Sequence, residues 1–116
     1  MSTANAAATL EQADDFATDY AAATLTIKAG GTSLAVYTLA GFVTSNSGAN
    51  ALATANAIAT VANVGTGTAT TAELTAGTKT FTLTVGTSGT DVVINDLDFI
   101  TGVDSSVNSL VVTFTA

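Results

Sequence analysis

A period of two governs the last third of this chain. Over 79–85 the sequence KTFTLTV puts Phe81, Leu83 and Val85 on one side and Thr80, Thr82 and Thr84 on the other. The alternation returns at the C-terminal end, with Leu110, Val112 and Phe114 in one row and Val111, Thr113 and Thr115 in the other. Successive Cβ atoms point to opposite faces of a strand, so the pattern fits a half-buried sheet and no helix. Gly-rich turns separate the runs, and Lys79–Ala116 is expected to form a β-meander.

The texture extends upstream. Thr24–Ala29 (TLTIKA) and Ser33–Leu39 (SLAVYTL) flank Gly30-Gly31 and read as a hairpin. Leu25 and Ile27 share one face, and Leu34, Val36 and Thr38 share one row. After Phe42 and Val43, the stretch SNSGANALA has the composition of a loop. Ala57–Val64 (AIATVANV) is ambiguous between strand and helix, and its β-branched Ile58, Thr60, Val61 and Val64 favour strand. Thr68–Leu74, Asp91–Ile94, Leu97–Thr101 and Val107–Thr115 complete the series. About eight short strands with regular turns predict a mainly β fold, a single antiparallel β-sandwich of jelly-roll-like form. No fixed period relates the segments, so no internal repeat is expected.

The N-terminal end breaks this texture. Met1–Thr9 is small and polar, which predicts an arm that orders against a partner. Thr9-Leu10-Glu11-Gln12 matches a capping box, with Thr9 as N-cap. Leu10, Ala13, Ala17 and Tyr20 recur at helical spacing with Phe16 beside them, giving a short helix over 10–21. Glu11, Asp14 and Asp15 would sit near its start, where the helix dipole favours acids. The expected organisation is an arm over 1–9 and one sandwich domain over 10–116 that includes the helix.

Composition excludes more than it assigns. The chain has 116 residues, no cysteine and no histidine. Disulfides, thiolate metal sites and the commonest general base are therefore absent. Nine acids face two lysines, Lys28 and Lys79, for a net charge of −7 and no arginine. Nucleic-acid binding rests on neutralising phosphates with basic side chains, so neither nucleic acid nor an anionic membrane is an expected partner. No apolar run reaches the ~18 residues of a membrane span, and the N-terminus lacks the pattern of a secretory signal. Charged residues make up 9% of the chain, against about 25% in an ordinary soluble domain, and 29–72 contains none. Uncharged strands are poorly guarded against edge-to-edge pairing. Much of this surface is therefore expected to be covered by neighbours in an assembly.

Candidate chemistry is sparse. Asp91, Asn95, Asp96, Asp98 and Asp104 offer hard oxygen ligands around two turns, a weak calcium candidate without the spacing of a known calcium loop. The competing reading makes Asn95 and Asp96 a turn and leaves Asp98 in solvent. Paired carboxylates suit glycoside hydrolysis only in a cleft with aromatic platforms, and the chain has no tryptophan. Gly65-Thr66-Gly67 lacks the Gly-Lys-Ser/Thr ending of a phosphate loop. Serines are plentiful but have no base to activate them. Lys28 or Lys79 could crosslink to an asparagine, against the plainer reading of exposed edge lysines. No cofactor and no enzymatic activity are expected.

Three segments resemble a group of small structural proteins of tailed bacteriophages. They are LEQADDFATDYAAATLTIKAG over 10–30, GTGTATTAEL over 65–74 and VGTSGTDVVINDLDFITGVDSSVNSLVVTFTA over 85–116. The chain departs from the group in lacking a basic helix start and a Pro-containing loop after the first strand. The resemblance implies a non-enzymatic virion protein, with a capsid decoration (cement) role on the head surface expected first. It would be made in the host cytoplasm, would contact the major capsid protein, and would form a homo-oligomer, favouring a trimer. Ser2, Thr3, Leu10, Phe16 and Tyr20 are the expected contact residues. The alternatives are a carbohydrate-binding or adhesin module of a tail fibre, and a self-assembling filament subunit.

Overall fold

The computed structural model describes residues 6–48 and 50–114. The expected contact residues Ser2 and Thr3, most of the expected arm, and Thr115 lie outside them. In chain order the elements are α1 (Ala6–Asp19), β1 (Thr24–Ala29), β2 (Thr32–Thr38), β3 (Phe42–Ser47), β4 (Asn50–Ala55), β5 (Val61–Ala62), β6 (Gly67–Thr68), β7 (Thr71–Ala76), β8 (Lys79–Leu83), β9 (Val85–Gly86), β10 (Val92–Ile94), β11 (Asp98–Phe99), β12 (Asp104–Ser105) and β13 (Val107–Phe114). The fold is mainly β, with several antiparallel sheets and one short helix.

Two principal sheets share a core. The four-stranded sheet runs β2-β1-β7-β8, antiparallel throughout. The five-stranded sheet runs β3-β4-β13-β10-β9 and is antiparallel except for the short β9–β10 pair. Two small ladders, β11·β6 and β12·β5, accompany them. One buried cluster contains Leu25, Ile27, Tyr37 and Leu74 of the first sheet and Ala53, Val92, Leu110 and Val112 of the second.

The rows read from the sequence are the rows observed in β8 and β13. Leu83, Leu110 and Val112 are buried and Phe81, Val85 and Phe114 pack against them, while Thr80, Thr82, Thr84 and Thr113 are exposed. The meander is not observed. β8 closes the four-stranded sheet, β13 lies inside the five-stranded sheet between β4 and β10, and β11 and β12 pair with β6 and β5. Alternation fixes which side of a strand is buried, but it carries no information about the neighbouring strand.

The β1–β2 hairpin forms as expected, with one correction. Ile27 faces Ala35 while Lys28 faces Ser33, so Leu34 is an extra residue in a β-bulge. The bulge lets Leu34, Ala35 and Tyr37 all be fully buried and turns Val36 outward, 41% exposed. Thr38 is exposed as well, so Leu34, Val36 and Thr38 are not one buried row.

The stretch taken for a loop after Val43 is the β3–β4 hairpin, turning at Gly48 with φ +63°. Its small residues are the reason. Ala51 and Ala53 are fully buried on the side of β4 against which α1 packs. Ala57–Val64 goes the other way, and only Val61–Ala62 pairs as strand. Asparagine side chains hold this segment in place of a ladder: Asn56 Nδ2 donates to the Ala40 carbonyl at 2.9 Å, and Asn63 Nδ2 to that of Ile100 at 3.2 Å.

Helix α1 begins at Ala6, so Thr9 lies inside it and is not its N-cap. Ala6–Ala8 have the strongest helix propensity of any residue and extend the helix backwards. The first turn carries no acid, and the helix ends at Asp19 rather than Ala21. Ala13 and Phe16 form its buried stripe, which Tyr20 continues just past its end. The Phe16 ring lies 4.7 Å from Tyr20, 5.1 Å from Phe42 of β3, 5.4 Å from Phe81 of β8 and 5.5 Å from Phe114 of β13. One side chain thus ties the helix to both sheets. Phe16 and Tyr20, expected as partner contacts, are core residues. Leu10, half-buried at the other end of the stripe, keeps some exposed surface.

Candidate functional site

A cleft of about 320 Å³ lies beside the two small ladders. Residue types on it fall into three groups. Ile94 and Phe99 are apolar and buried, whereas Ile100 and Val103 are 61% and 53% exposed. Asn63 and Ser105 supply neutral polar groups, and Asp96, Asp98 and Asp104 supply carboxylates.

Asn63 holds the cleft together. It is the buried polar residue of the described chain, 5% exposed. Its amide N–H donates to the Val103 carbonyl, and its own carbonyl accepts from Gly102 N–H, both at 2.9 Å. Its side-chain oxygen accepts from the Ser105 hydroxyl at 2.5 Å. The Tyr37 hydroxyl lies 2.7 Å from Ser105 Oγ. Ser105 spends its single proton on Asn63, so Tyr37 is the donor to Ser105. A relay runs from β2 through β12 to the segment after β5. Burial pushes the Tyr37 phenol above its ordinary value, with the Ser105 hydroxyl working the other way. The relay ends in amide groups, and no basic side chain touches it, so its evident work is to fix the 100–105 turn.

The expected calcium set is only partly gathered. Asn95, Asp96, Asp98 and Asp104 line the cleft. Asp91 is engaged elsewhere: its carboxylate accepts from Thr84 N–H at 3.2 Å, and Asp91 N–H donates to the Thr84 hydroxyl at 3.0 Å. Asp96, Asp98 and Asn95 have local partners too. Asp96 accepts from the N–H of Asp98 at 2.9 Å. Asp98 accepts from the Thr68 hydroxyl at 2.9 Å, and Asn95 Oδ1 from Asn108 Nδ2 at 2.6 Å. Among the described residues no three carboxylates approach closely enough to share a metal ion.

Both lysines are paired. Lys28 Nζ is 3.7 Å from Glu73, and Lys79 Nζ is 3.2 Å from Asp19. Lys28 lies on β1, an interior strand, so it is not an edge lysine, whereas Lys79 stands on the edge strand β8. The aromatic residues offer no exposed platform: every Phe and Tyr is buried or half-buried.

A second surface comes from the register. Val43, Thr54 and Val111 lie opposite one another across β3, β4 and β13, as do Ser45, Leu52 and Thr113. The inward neighbours Ala53 and Val112 are buried, so these six form the outer face of the five-stranded sheet over β3, β4 and β13. None carries a charge, and Val43 on the outermost strand is 59% exposed. Sequence reading identified the uncharged stretch but lost this face, because half of β3–β4 reads as loop. Asn63, Ser105 and Tyr37 were missed for a different reason. Their pairing spans 42 and 68 residues, and no local pattern announces it.

No family model, no curated protein and no solved structure matches this chain. Among the described residues no helix is long and apolar enough to cross a membrane.

Proposed function

We propose that this chain is a non-enzymatic virion structural protein, a capsid decoration (cement) protein that stabilises a phage head through contacts between subunits. One observation carries this reading: over β3, β4 and β13 the outer face of the five-stranded sheet carries no charge, in a chain of net charge −7. Like-charged copies meet most readily where neither carries charge. Apolar area removed from water contributes roughly 25 cal/mol per Å², from which ordering costs are subtracted. Repeated over a symmetric shell, a modest contact of this kind is multiplied. In this reading the two principal sheets are the walls of a single jelly-roll-like sandwich, with α1 closing one end. The partners are the major capsid protein and further copies of the chain, a trimer suiting three-fold positions. The segmental resemblance to tailed-phage structural proteins supports the same reading.

The alternatives draw less support. A glycan-binding module needs exposed aromatic platforms, and the aromatics here are packed inward. A filament subunit would use the uncharged outermost strand β3 for strand addition. Co-sedimentation with shells of the major capsid protein encoded in the same genome tests the proposal. Saturable binding at a fixed copy number per shell is expected. Absence of binding, with the chain monomeric at every concentration, would overturn it.

A further inference from the structure

The two principal sheets have four edges, β2, β8, β3 and β9, and three of them are guarded. The Leu34 carbonyl of β2 is taken by the N–H groups of Val64 and Gly65, β8 carries the ion-paired Lys79, and β9 is two residues long. Covering segments, lysines and short strands all keep an edge from pairing. The fourth edge, β3, spans six residues with no charge, no proline and no register shift against β4. Asn56 N–H donates to the Gly41 carbonyl at 2.9 Å, which sets the alternation of the ladder. Gly41, Val43 and Ser45 bond to β4, while Phe42 and Thr44 turn their N–H and C=O groups to the open side. Among the described residues no other main-chain group bonds to these. Val43 stands between them on the outer face, 59% exposed.

We infer that β3 pairs antiparallel with β3 of a second copy of this chain, about a two-fold axis at Val43, so that the two five-stranded sheets join into one. Phe42 of each copy then exchanges both main-chain bonds with Thr44 of the other. The two Val43 side chains meet in the close, non-hydrogen-bonded pair, with Cα atoms about 4.5 Å apart. The alternation of the ladder selects this register. A shift of one residue would set Phe42 and Thr44 against Ser45 and Val43, whose main-chain groups are spent on β4. Centring the axis on Thr44 keeps the alternation, but it brings together two Thr44–Asp14 hydrogen bonds and with them two carboxylates. Charge names the occupant. Each copy carries −7, with Glu11, Asp14, Asp15 and Asp19 on α1 and Asp96, Asp98 and Asp104 at the cleft, and like copies approach most readily where such groups are absent. The row Val43, Thr54, Val111 would run uncharged from one copy into the other. An isologous contact uses both β3 edges, so association ends at a dimer and does not propagate as a filament.

The pairing does not rest on the virion reading, and the isolated chain tests it. Sedimentation equilibrium from micromolar to millimolar concentration should show monomer and dimer only, the dimer gaining as salt screens the like charges. In the dimer, hydrogen exchange should slow at the Phe42 and Thr44 amides and leave those of Val43 and Ser45 as they were. Val43→Lys and Val43→Glu each alter an exposed side chain, so both should fold with unchanged amide spectral dispersion. Each should be monomeric where the parent is half dimeric. An equal mixture of the two should restore a dimer with one chain of each, because the axis sets residue 43 against itself and opposite charges then pair. A parent that stays monomeric throughout would overturn the inference. So would a dimer indifferent to both substitutions, or growth beyond the dimer. A monomeric chain that still co-sediments with capsid shells would overturn the pairing alone, and a dimer that binds no shell would uphold the pairing while counting against the capsid role.

Discussion

The outer faces of the two principal sheets use the same kinds of residue to different ends. On the four-stranded sheet, Thr38, Thr24, Thr75 and Thr80 lie opposite one another in a row across all four strands, and Val36, Thr26, Glu73 and Thr82 form the next. The Lys28–Glu73 pair stands on this face. Its borders are guarded as well. Lys79 on β8 pairs with Asp19, and the Leu34 carbonyl of β2 accepts from Val64 N–H at 2.8 Å and Gly65 N–H at 3.3 Å. Across β3, β4 and β13 the five-stranded sheet presents Val43, Thr54, Val111, Ser45, Leu52 and Thr113, none of them charged, and β3 carries no charge at all. Proteins that remain alone blunt their sheet edges with lysines, proline or covering loops. One sheet here is finished in that way and the other is not. The difference teaches which side of the molecule is suited to a neighbour.

Both faces depend on one core, and the largest effect expected is from breaking it. Phe16→Ala removes the ring that touches Phe42, Phe81 and Phe114 at once. A loss of about 3–5 kcal/mol is expected, read by urea denaturation as a single transition for the whole molecule. Two separate transitions would mean that the sheets are independent.

The next effect concerns the guarded border alone. A Cβ at Gly65 would lie 2.3 Å from the Ser33 carbonyl oxygen, a backbone atom with no free rotation. Gly65→Ala should cost about 1–3 kcal/mol and expose β2, whose amides should then lose hydrogen-exchange protection while those of β3 keep theirs.

The strand faces were legible in the sequence because alternation is local. Phe81, Leu83, Leu110 and Val112 need only their neighbours to declare a side. Partner choice was not legible: β8 and β13 belong to different sheets, and nothing in either run says so. The bulge at Leu34 escaped because one extra residue reverses the side of every residue after it. The β3–β4 hairpin escaped because Ser, Asn and Ala are read as loop formers until a helix is seen lying over Ala51 and Ala53. At the cleft the carboxylates were legible as a cluster. The relay that shapes it depends on Tyr37, 68 residues from Ser105, and could not be read in advance.

A smaller effect tests that relay. The Tyr37 phenol is raised by burial, so folding holds its proton more tightly than the unfolded chain does. The resulting stability is complete below the ordinary tyrosine value near pH ~10 and is lost as pH rises beyond it. Alkaline melts should show this fall in the parent protein. In Tyr37→Phe the fall should be shallower, on a baseline lowered by about 1 kcal/mol for the lost hydrogen bond.

The smallest effect on stability accompanies the most direct test of the comparison. Thr54→Lys and Thr26→Lys place the same charge at matched positions, each half-buried on the outward side of an interior strand, one on each sheet. Both should change monomer stability by about 0.5 kcal/mol or less. Their binding to shells of the major capsid protein, measured side by side by co-sedimentation, should separate them. The account predicts that Thr54→Lys abolishes binding while Thr26→Lys retains it. Equal binding by the two variants, or loss confined to Thr26→Lys, would contradict the claim that the uncharged face of the five-stranded sheet is the contact surface.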